Sequence, residues 1–227
     1  SLAYGRLAYK KQHLEPLDYM IDRFKKPADE NAKKADAEAK KAEKYEKIGA
    51  DYEKKALADK KNQQALMKKA NDAFAKAEGH RDEEARLRGV SDSYRGYQRG
   101  FEESKWRAEV GIECGSDPMC YAKYLDAKDI AVGKPGLPKA ERALIQLAKL
   151  GPKAAPALDA LLKHVDTSER IVRQGILLAL TRVAPKPCDR CVQRLDEVIK
   201  AQENQTTLDY LTADTRIVRN YFRWAGR

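Results

Sequence analysis

The apolar positions of this chain recur with a helical period in both halves, but different side chains fill them. From residue 28 to 78 the recurring positions lie three or four apart and hold mainly alanine: Ala32, Ala35, Ala39, Ala42, Tyr45, Gly49, Tyr52, Ala56, Leu66, Ala70, Ala73 and Ala77. Alanine, lysine and glutamate dominate this segment, and all three favour helix. An alanine stripe buries little apolar area, which is worth about 25 cal/mol per Å². The pattern therefore predicts a helix that packs closely on one partner helix and exposes its other faces.

A returning helix, antiparallel to the alanine-rich one, is predicted for residues 80–112. Gly89 and Gly96 are seven positions apart and would share one helical face, so we expect them at the seam where the two backbones approach. The tyrosines and arginines of "YRGYQRGF" (94–101) offer an alternative, because aromatic and basic side chains also stack on nucleic acid. Packing is the favoured interpretation, since tyrosines on a helical face usually serve it.

The C-terminal half contains an internal repeat. The segments "ERIVRQGI" (169–176) and "TRIVRNYF" (215–222) share the core "RIVR" at a period of 46 residues. Amphipathic helices are predicted around proline-containing or polar breaks, at 138–151, 156–165, 169–185, 188–202 and 207–225. Two helices per unit, at a period of about 40 to 47 residues, are typical of solenoids of the HEAT type.

The same half resembles the HEAT-repeat family in its residues. The matching positions are Asp166, Val172, Arg173, Ala179 and Leu180 in one unit and Asp214, Val218 and Arg219 in the next. The resemblance covers about residues 121–225 and implies a short α-solenoid in which Asp and Arg side chains bridge neighbouring repeats. It departs from the family pattern after Arg219, where "NYFRWAGR" replaces the usual small residues. The alanine-rich segment resembles, in composition only, the long helix of TolA-type envelope-spanning proteins.

These patterns predict an all-α chain with two domains. A long, coiled-coil-like antiparallel hairpin is expected over residues 1–112, and a short HEAT-like α-solenoid over residues 113–227. Within the first domain, Pro16 and Pro27 bracket a predicted short amphipathic helix.

Composition and charge narrow the picture further. Charged residues make up 35% of the chain, aromatic residues 7%, and the mean hydropathy is -0.74, so a large part of the chain must be solvated helix or disorder. The net charge of +10 invites a nucleic-acid or anionic-surface partner, but it is shared evenly by the two halves. No apolar run is long enough for a membrane span. The start "SLAYGRLAYKK" suggests a mature or trimmed product.

Four cysteines form two local pairs, Cys114 with Cys120 and Cys188 with Cys191. Two structural disulfides in an oxidising compartment are the favoured interpretation. A zinc site remains open, because the CxxC of the second pair is a proper half-site, although the halves are far apart in sequence. A redox CxxC would follow a β-strand in a thioredoxin-like fold, whereas the segment before Cys188 has helical periodicity. No cofactor, metal or catalytic motif is predicted, and His13, His80 and His164 are scattered along the chain.

The leading functional hypothesis is a non-enzymatic scaffold of the bacterial envelope that binds a protein partner, or a second copy of itself, through the solenoid. The local cysteine pairs favour a periplasmic or other extracytoplasmic location. The C-terminal end offers Arg219, Tyr221, Phe222, Arg223 and Trp224 as the partner-binding residues, because Tyr, Trp and Arg dominate binding hot spots. The alternative is that these aromatic side chains fold back and close the last repeat.

Two other functional classes stay open. A nucleic-acid-binding solenoid would use the C-terminal arginines, namely Arg170, Arg173, Arg182, Arg190, Arg194, Arg216, Arg219 and Arg223. Pairing of these arginines with Asp166, Asp196 and Asp214 would count against that alternative. A CxxC thiol oxidoreductase is the third class, and it would use the Cys188 thiol.

Overall fold

The computed structural model describes residues 2–203 and 210–225, with side chains described over 12–202 and 212–225. Helix accounts for 87% of the structure, and the described residues contain no strand. The predicted all-α class is therefore confirmed. By its internal contacts the chain forms two compact units, one of residues 18–101 and one of residues 1–17 with 102–227. The predicted domain boundary at residue 112 stays a prediction.

Two long helices, α1 (Leu2–Ala58) and α2 (Gln63–Cys114), pack together as the predicted hairpin. The turn between them lies at residues 59–62, not near residue 79 as the sequence interpretation placed it. The Asp59 carboxylate accepts hydrogen bonds from the backbone N–H groups of Lys61 and Asn62, at 3.1 and 3.2 Å. An aspartate that bonds to the backbone two residues on offers the chain an alternative to helix, which explains the break here.

Within residues 18–101 the seam follows a heptad spacing on both helices. On α1 the buried positions Ala28, Ala35, Ala42, Gly49 and Ala56 recur every seven residues. On α2 the seam runs through Ala70, Ala73, Ala77, Leu87 and Ser91. The small side chains allow the close approach that the alanine stripe predicts. At the end of this unit, larger side chains take over, and Phe24 stacks on Phe101 with ring centroids 5.7 Å apart.

The predicted glycine seam is wrong. Gly89 and Gly96 are exposed, and a Cβ added at either would meet nothing within 4 Å. Each lies two positions after a seam residue, Leu87 and Tyr94, and two helical positions amount to more than half a turn. The glycine that does occupy the seam is Gly49, whose added Cβ would lie 2.6 Å from the Phe74 ring.

The predicted separate helix between Pro16 and Pro27 is also wrong, because α1 continues through both prolines. A proline inside a helix loses one backbone hydrogen bond. Around Pro27, side chains of the hairpin add hydrogen bonds to the helix backbone: Asn31 Nδ2 donates to the Pro27 carbonyl at 2.7 Å, and Ser91 Oγ donates to the Ala28 carbonyl at 2.9 Å. Packing of the long hairpin thus overrides the local break that the prolines favour.

Polar side chains also cross the hairpin. His80 Nδ1 lies 2.6 Å from Glu38 Oε2, and the His80 ring stacks on Tyr45 at 5.5 Å. Lys41 and His80 hold the pKa of the Glu38 carboxyl below its usual range through their hydrogen bonds. Arg88 contacts Asp36 across the hairpin at 3.1 Å. These contacts fix one pairing of α1 with α2.

In the other unit, shorter helices follow α2 in the order α3 (Pro118–Lys123), α4 (Gly136–Leu150), α5 (Leu158–His164), α6 (Arg170–Val183), α7 (Asp189–Glu203) and α8 (Tyr210–Trp224). Two short 3-10 segments, Tyr124–Asp126 and Gly151–Ala157, join α3 to α4 and α4 to α5. The helices from α4 to α8 fall where the amphipathic pattern predicts them. They share one core rich in leucine and valine, in contrast to the alanine seam of the hairpin.

Helix packing in this unit follows the order of the repeat. Helix α4 packs on α6, α6 packs on α8, and α7 packs on α8. The first "RIVR" segment begins α6, and the second lies within α8. Equivalent residues of the two segments have equivalent surroundings. Val172 is buried, and Val218 packs against the same core. Ile171 and Ile217, one position earlier, are both exposed. The 46-residue period of the sequence therefore corresponds to a repeated helix in the structure.

Candidate partner-binding surface

The predicted partner-binding residues at the C-terminal end divide between the core and the surface. Phe222 is 1% exposed and belongs to the core, so its predicted role on the surface is wrong. Its place matches that of buried Ile176, 46 residues earlier. Trp224 is 66% exposed, and Tyr221 is 37% exposed. Tyr221 packs edge-on against Phe222 and lies 4.9 Å from Lys186 Nζ. The aromatic residues thus serve both alternatives, with Phe222 closing the core and Trp224 on the surface.

Arg219 and Arg223 share one carboxylate. Arg219 Nη1 donates to Asp196 Oδ1 at 2.6 Å, and Arg223 Nη2 donates to Asp196 Oδ2 at 2.7 Å, joining α8 to α7. The two guanidinium groups, Arg219 first, hold the pKa of the Asp196 carboxyl below its usual range. These arginines therefore hold α8 on α7, and the one carboxylate offsets half of their charge.

Two other arginines of the C-terminal half, Arg190 and Arg194, also pair with carboxylates. Arg190 contacts Asp159 at 2.8 Å, and Arg194 contacts Asp166 at 2.7 Å, which links α7 to α5 and to the turn after it. Arg173 is buried and donates to the backbone carbonyl of Thr167 at 2.8 Å. Asp214 accepts from the Gln174 amide at 3.2 Å. Pairing of arginines with carboxylates of the same chain counts against the nucleic-acid alternative.

The structure shows a surface feature that the sequence interpretation missed. Large apolar side chains are exposed along the three helices α4, α6 and α8; we name Ile145, Ile171, Leu178, Ile217 and Trp224 the apolar strip. Ile171 and Leu178 are 47% and 55% exposed. In the 46-residue repeat they are equivalent to Ile217 and Trp224 of α8. The signal was present in the sequence, because the same period that aligns "RIVR" also aligns Leu178 with Trp224.

A groove of about 270 Å³ opens within the apolar strip, between α4 and α6. Its floor is Leu144, and its sides are Ile145, Ile171 and Leu178. Gly175 lets the Leu144 side chain approach the backbone of α6 at the groove, since a Cβ there would lie 2.8 Å from that side chain. In the next repeat Tyr221 takes the position of Gly175, so the large ring occupies the equivalent place on α8.

The cysteines form the predicted pairs. Cys114 is bonded to Cys120 with an Sγ–Sγ distance of 2.05 Å, and Cys188 to Cys191 at 1.98 Å. The first pair joins the end of α2 to α3, and the second spans the start of α7. Cys188 and Cys191 are 3% and 0% exposed. A sulfur buried to this degree is shielded from a protein substrate, whereas a reactive thiol needs access.

No described helix combines the length and the apolar character that a membrane span requires. The chain matches no known protein-family model, and comparison with curated proteins and with solved structures finds no match either.

Proposed function

We propose that this protein is a non-enzymatic scaffold whose C-terminal helices bind an acidic amphipathic helix of a protein partner along the apolar strip. The observation that carries the proposal is the strip itself. In a chain with 35% charged residues, isolated exposed apolar side chains are ordinary, whereas a row of them on adjacent helices marks an interaction surface.

The shape of the strip supports a helical partner. Ile171 and Leu178 are two turns apart on one helical face, a separation of about 10 Å, and the groove between α4 and α6 lies beside them. An amphipathic helix presents apolar side chains at the same spacing and can lay them in such a groove. Trp224 extends the surface onto α8, and its size and exposure suit it as an anchor.

Charge supports an acidic partner. Arg170 and Arg182 flank Ile171 and Leu178 on α6, and Lys149 lies one turn beyond Ile145 on α4. Among the described residues, none of these three cations has a carboxylate within ion-pair distance, in contrast to the paired arginines of α7 and α8. Glu141, at the edge of the groove, is held by Arg107 at 2.8 Å. The cations around the groove would therefore attract acidic residues flanking the apolar face of a partner.

We also propose that residues 121–225 form a HEAT-like solenoid and that the protein acts outside the cytoplasm, in the bacterial envelope. The repeat of α6 in α8 and the packing of α4, α6 and α8 in succession support the first point. Two disulfides support the second, because such bonds persist in oxidising compartments. The buried state of Cys188 and Cys191 favours a structural bond over the thiol oxidoreductase alternative.

Site-specific photocrosslinking in the organism that makes the protein tests the proposed function. A photoreactive amino acid replaces Leu178 in one variant and Gln193, an exposed residue of α7, in the control. The Leu178 position should capture one protein at a site within an acidic amphipathic segment, and the Gln193 position should not. Adding Arg170→Glu and Arg182→Glu should reduce the yield at least several-fold, with the thermal unfolding temperature unchanged.

The other outcomes of the experiment contradict the proposal. Failure to capture a protein at Leu178, or equal capture at Gln193, would remove the docking role of the strip. Capture of nucleic acid would favour the second functional class. Capture of a second copy of the chain would assign the strip to self-association.

A further inference from the structure

Another pocket, of about 560 Å³, lies within the unit formed by residues 1–17 and 102–227. Residues of α1, the last turns of α2 and one side of α4 enclose it. Its chemistry is mixed: Leu17 and Ile112 supply apolar walls, while Gln12, His13, Arg142 and Gln146 supply polar groups. We name it the Arg142 pocket. It does not overlap the residues of the groove between α4 and α6.

Arg142 is the feature that gives this pocket a binding chemistry. It is half-buried, and among the described residues no carboxylate lies within ion-pair distance of it. Gln146 is its neutral neighbour: in the amide orientation that satisfies both groups, the Gln146 oxygen accepts hydrogen bonds from Nε at 3.2 Å, Nη1 at 3.1 Å and Nη2 at 2.9 Å. A guanidinium carries five N–H groups, so one N–H on each Nη remains for a ligand.

Gly111 of α2 lies beside Arg142. A Cβ added at Gly111 would lie 3.5 Å from Arg142 Nη2, in ordinary contact, so the guanidinium lies directly over the helix backbone at this position. A longer side chain at residue 111 would extend into the pocket beside Arg142. Gly115 follows the end of α2 with φ +57, a conformation that glycine adopts without steric cost.

We propose that the Arg142 pocket binds a small organic carboxylate, with the carboxylate on the two remaining Nη N–H groups of Arg142 and an apolar body against Leu17 and Ile112. A guanidinium edge matches the two oxygens of a carboxylate in a bidentate pair. The pocket brings one arginine to the ligand, which suits a monoanion. The carboxylate could belong to a free small molecule or to the C-terminal residue of a peptide, since both present the same group.

Titration with a matched pair of probes tests this inference. N-acetyl-leucine carries the carboxylate and an apolar body, and N-acetyl-leucine amide is its neutral analogue. Binding to the full chain is followed by NMR chemical-shift changes. We expect the acid to bind at least tenfold more tightly than the amide, and Arg142→Gln to lower the affinity for the acid at least tenfold. The control variant Arg23→Gln, an exposed arginine of α1, should bind like the wild type.

A second variant tests the pocket without changing Arg142, so the test does not depend on whether Arg142→Gln folds. Gly111→Leu retains the arginine, replaces a glycine inside a helix, and fills the space beside the guanidinium, so it should abolish binding while the protein stays folded. Equal affinity for acid and amide, no binding by the wild type, or full binding by Gly111→Leu would overturn the proposal. A tripeptide ending in leucine then separates the sources: tighter binding than N-acetyl-leucine assigns the site to a peptide C-terminus, and equal binding to a free small acid.

Discussion

At the scale of single residues, the ion pairs of this protein serve mainly to join helices to one another and less to form a charged binding surface. Asp196 shows this most clearly, because two arginines of α8 meet on its carboxylate. Its side chain and that of Arg219 are 26% and 18% exposed, so solvent screens the pair only partly. The same residues illustrate a limit of sequence reasoning. The sequence suggested Arg219 and Arg223 as partner-binding residues at the C-terminal end, but only their positions on α8 show that they face α7.

Asp196→Asn should lower the free energy of unfolding by about 1 to 2 kcal/mol at pH 7, within the range for hydrogen bonds to charged groups. The pKa of Asp196 is lowered in the folded state by Arg219 and Arg223, from an ordinary value of 3.8. The stabilisation is therefore complete above that value and is lost as the pH falls through the lower folded pKa. Urea unfolding of both proteins between pH 7 and pH 2 checks this, and the gap between them should narrow below about pH 4.

A matched control is Asp92→Asn, which changes an exposed aspartate of α2 and should alter the stability by less than about 0.5 kcal/mol. A gap between wild type and Asp196→Asn that stays constant from pH 7 to pH 2 would show that the carboxylate charge is not what stabilises the pair.

At the scale of helices, the sequence predicted which segments are helical better than it predicted where they turn and which face they bury. The alanine stripe of α1 identified its seam correctly, because small side chains on one helical face allow a second helix to approach closely there. The seam of α2 was misread, since Gly89 and Gly96 have the same seven-residue spacing as the seam and lie two positions away from it. Only the partner helix decides between two stripes of equal period, and a sequence does not show where the partner lies.

The contrast between seam and surface glycines predicts opposite effects of one substitution. Gly49→Leu should destabilise the hairpin by about 1 to 3 kcal/mol, because its Cβ would already lie 2.6 Å from the Phe74 ring and larger side chains overpack a close seam. Gly96→Leu should stabilise it by up to about 1 kcal/mol, because the position is open and leucine favours helix more than glycine does. Thermal and urea unfolding of the two variants provide the comparison. If Gly96→Leu destabilised the hairpin as much as Gly49→Leu does, the result would mean that Gly96 lies in the seam.

At the scale of the whole molecule, the two units are built from different cores. The unit of residues 18–101 buries mainly alanine, whereas the other unit buries alanine and also many leucines and valines, together with Tyr121 and Phe222. Composition predicted this difference, since the alanine-rich segment has few large apolar residues. It did not predict the apolar strip, because exposure of Ile171 and Leu178 depends on how α4, α6 and α8 pack. An amphipathic pattern identifies the buried face of a helix but does not tell which apolar residues beside it remain uncovered.

The different cores lead to a prediction about local stability. A buried leucine removes about three more carbons from water than a buried alanine, at about 0.8 kcal/mol per CH2 group, so each alanine of the seam contributes far less than a leucine of the other core. We expect the free energy of the opening that allows amide hydrogen exchange to be at least about 2 kcal/mol lower for residues 35–49 in α1 than for residues 176–180 in α6. This corresponds to a roughly 30-fold difference in protection. Native-state hydrogen exchange followed by NMR or mass spectrometry measures both segments in the same sample. Each lies inside a continuous helix, so helical hydrogen bonding alone does not separate them. Equal protection in the two segments would mean that the chain unfolds as one cooperative unit, and that the ion pairs and aromatic contacts of the hairpin compensate for its alanine seam.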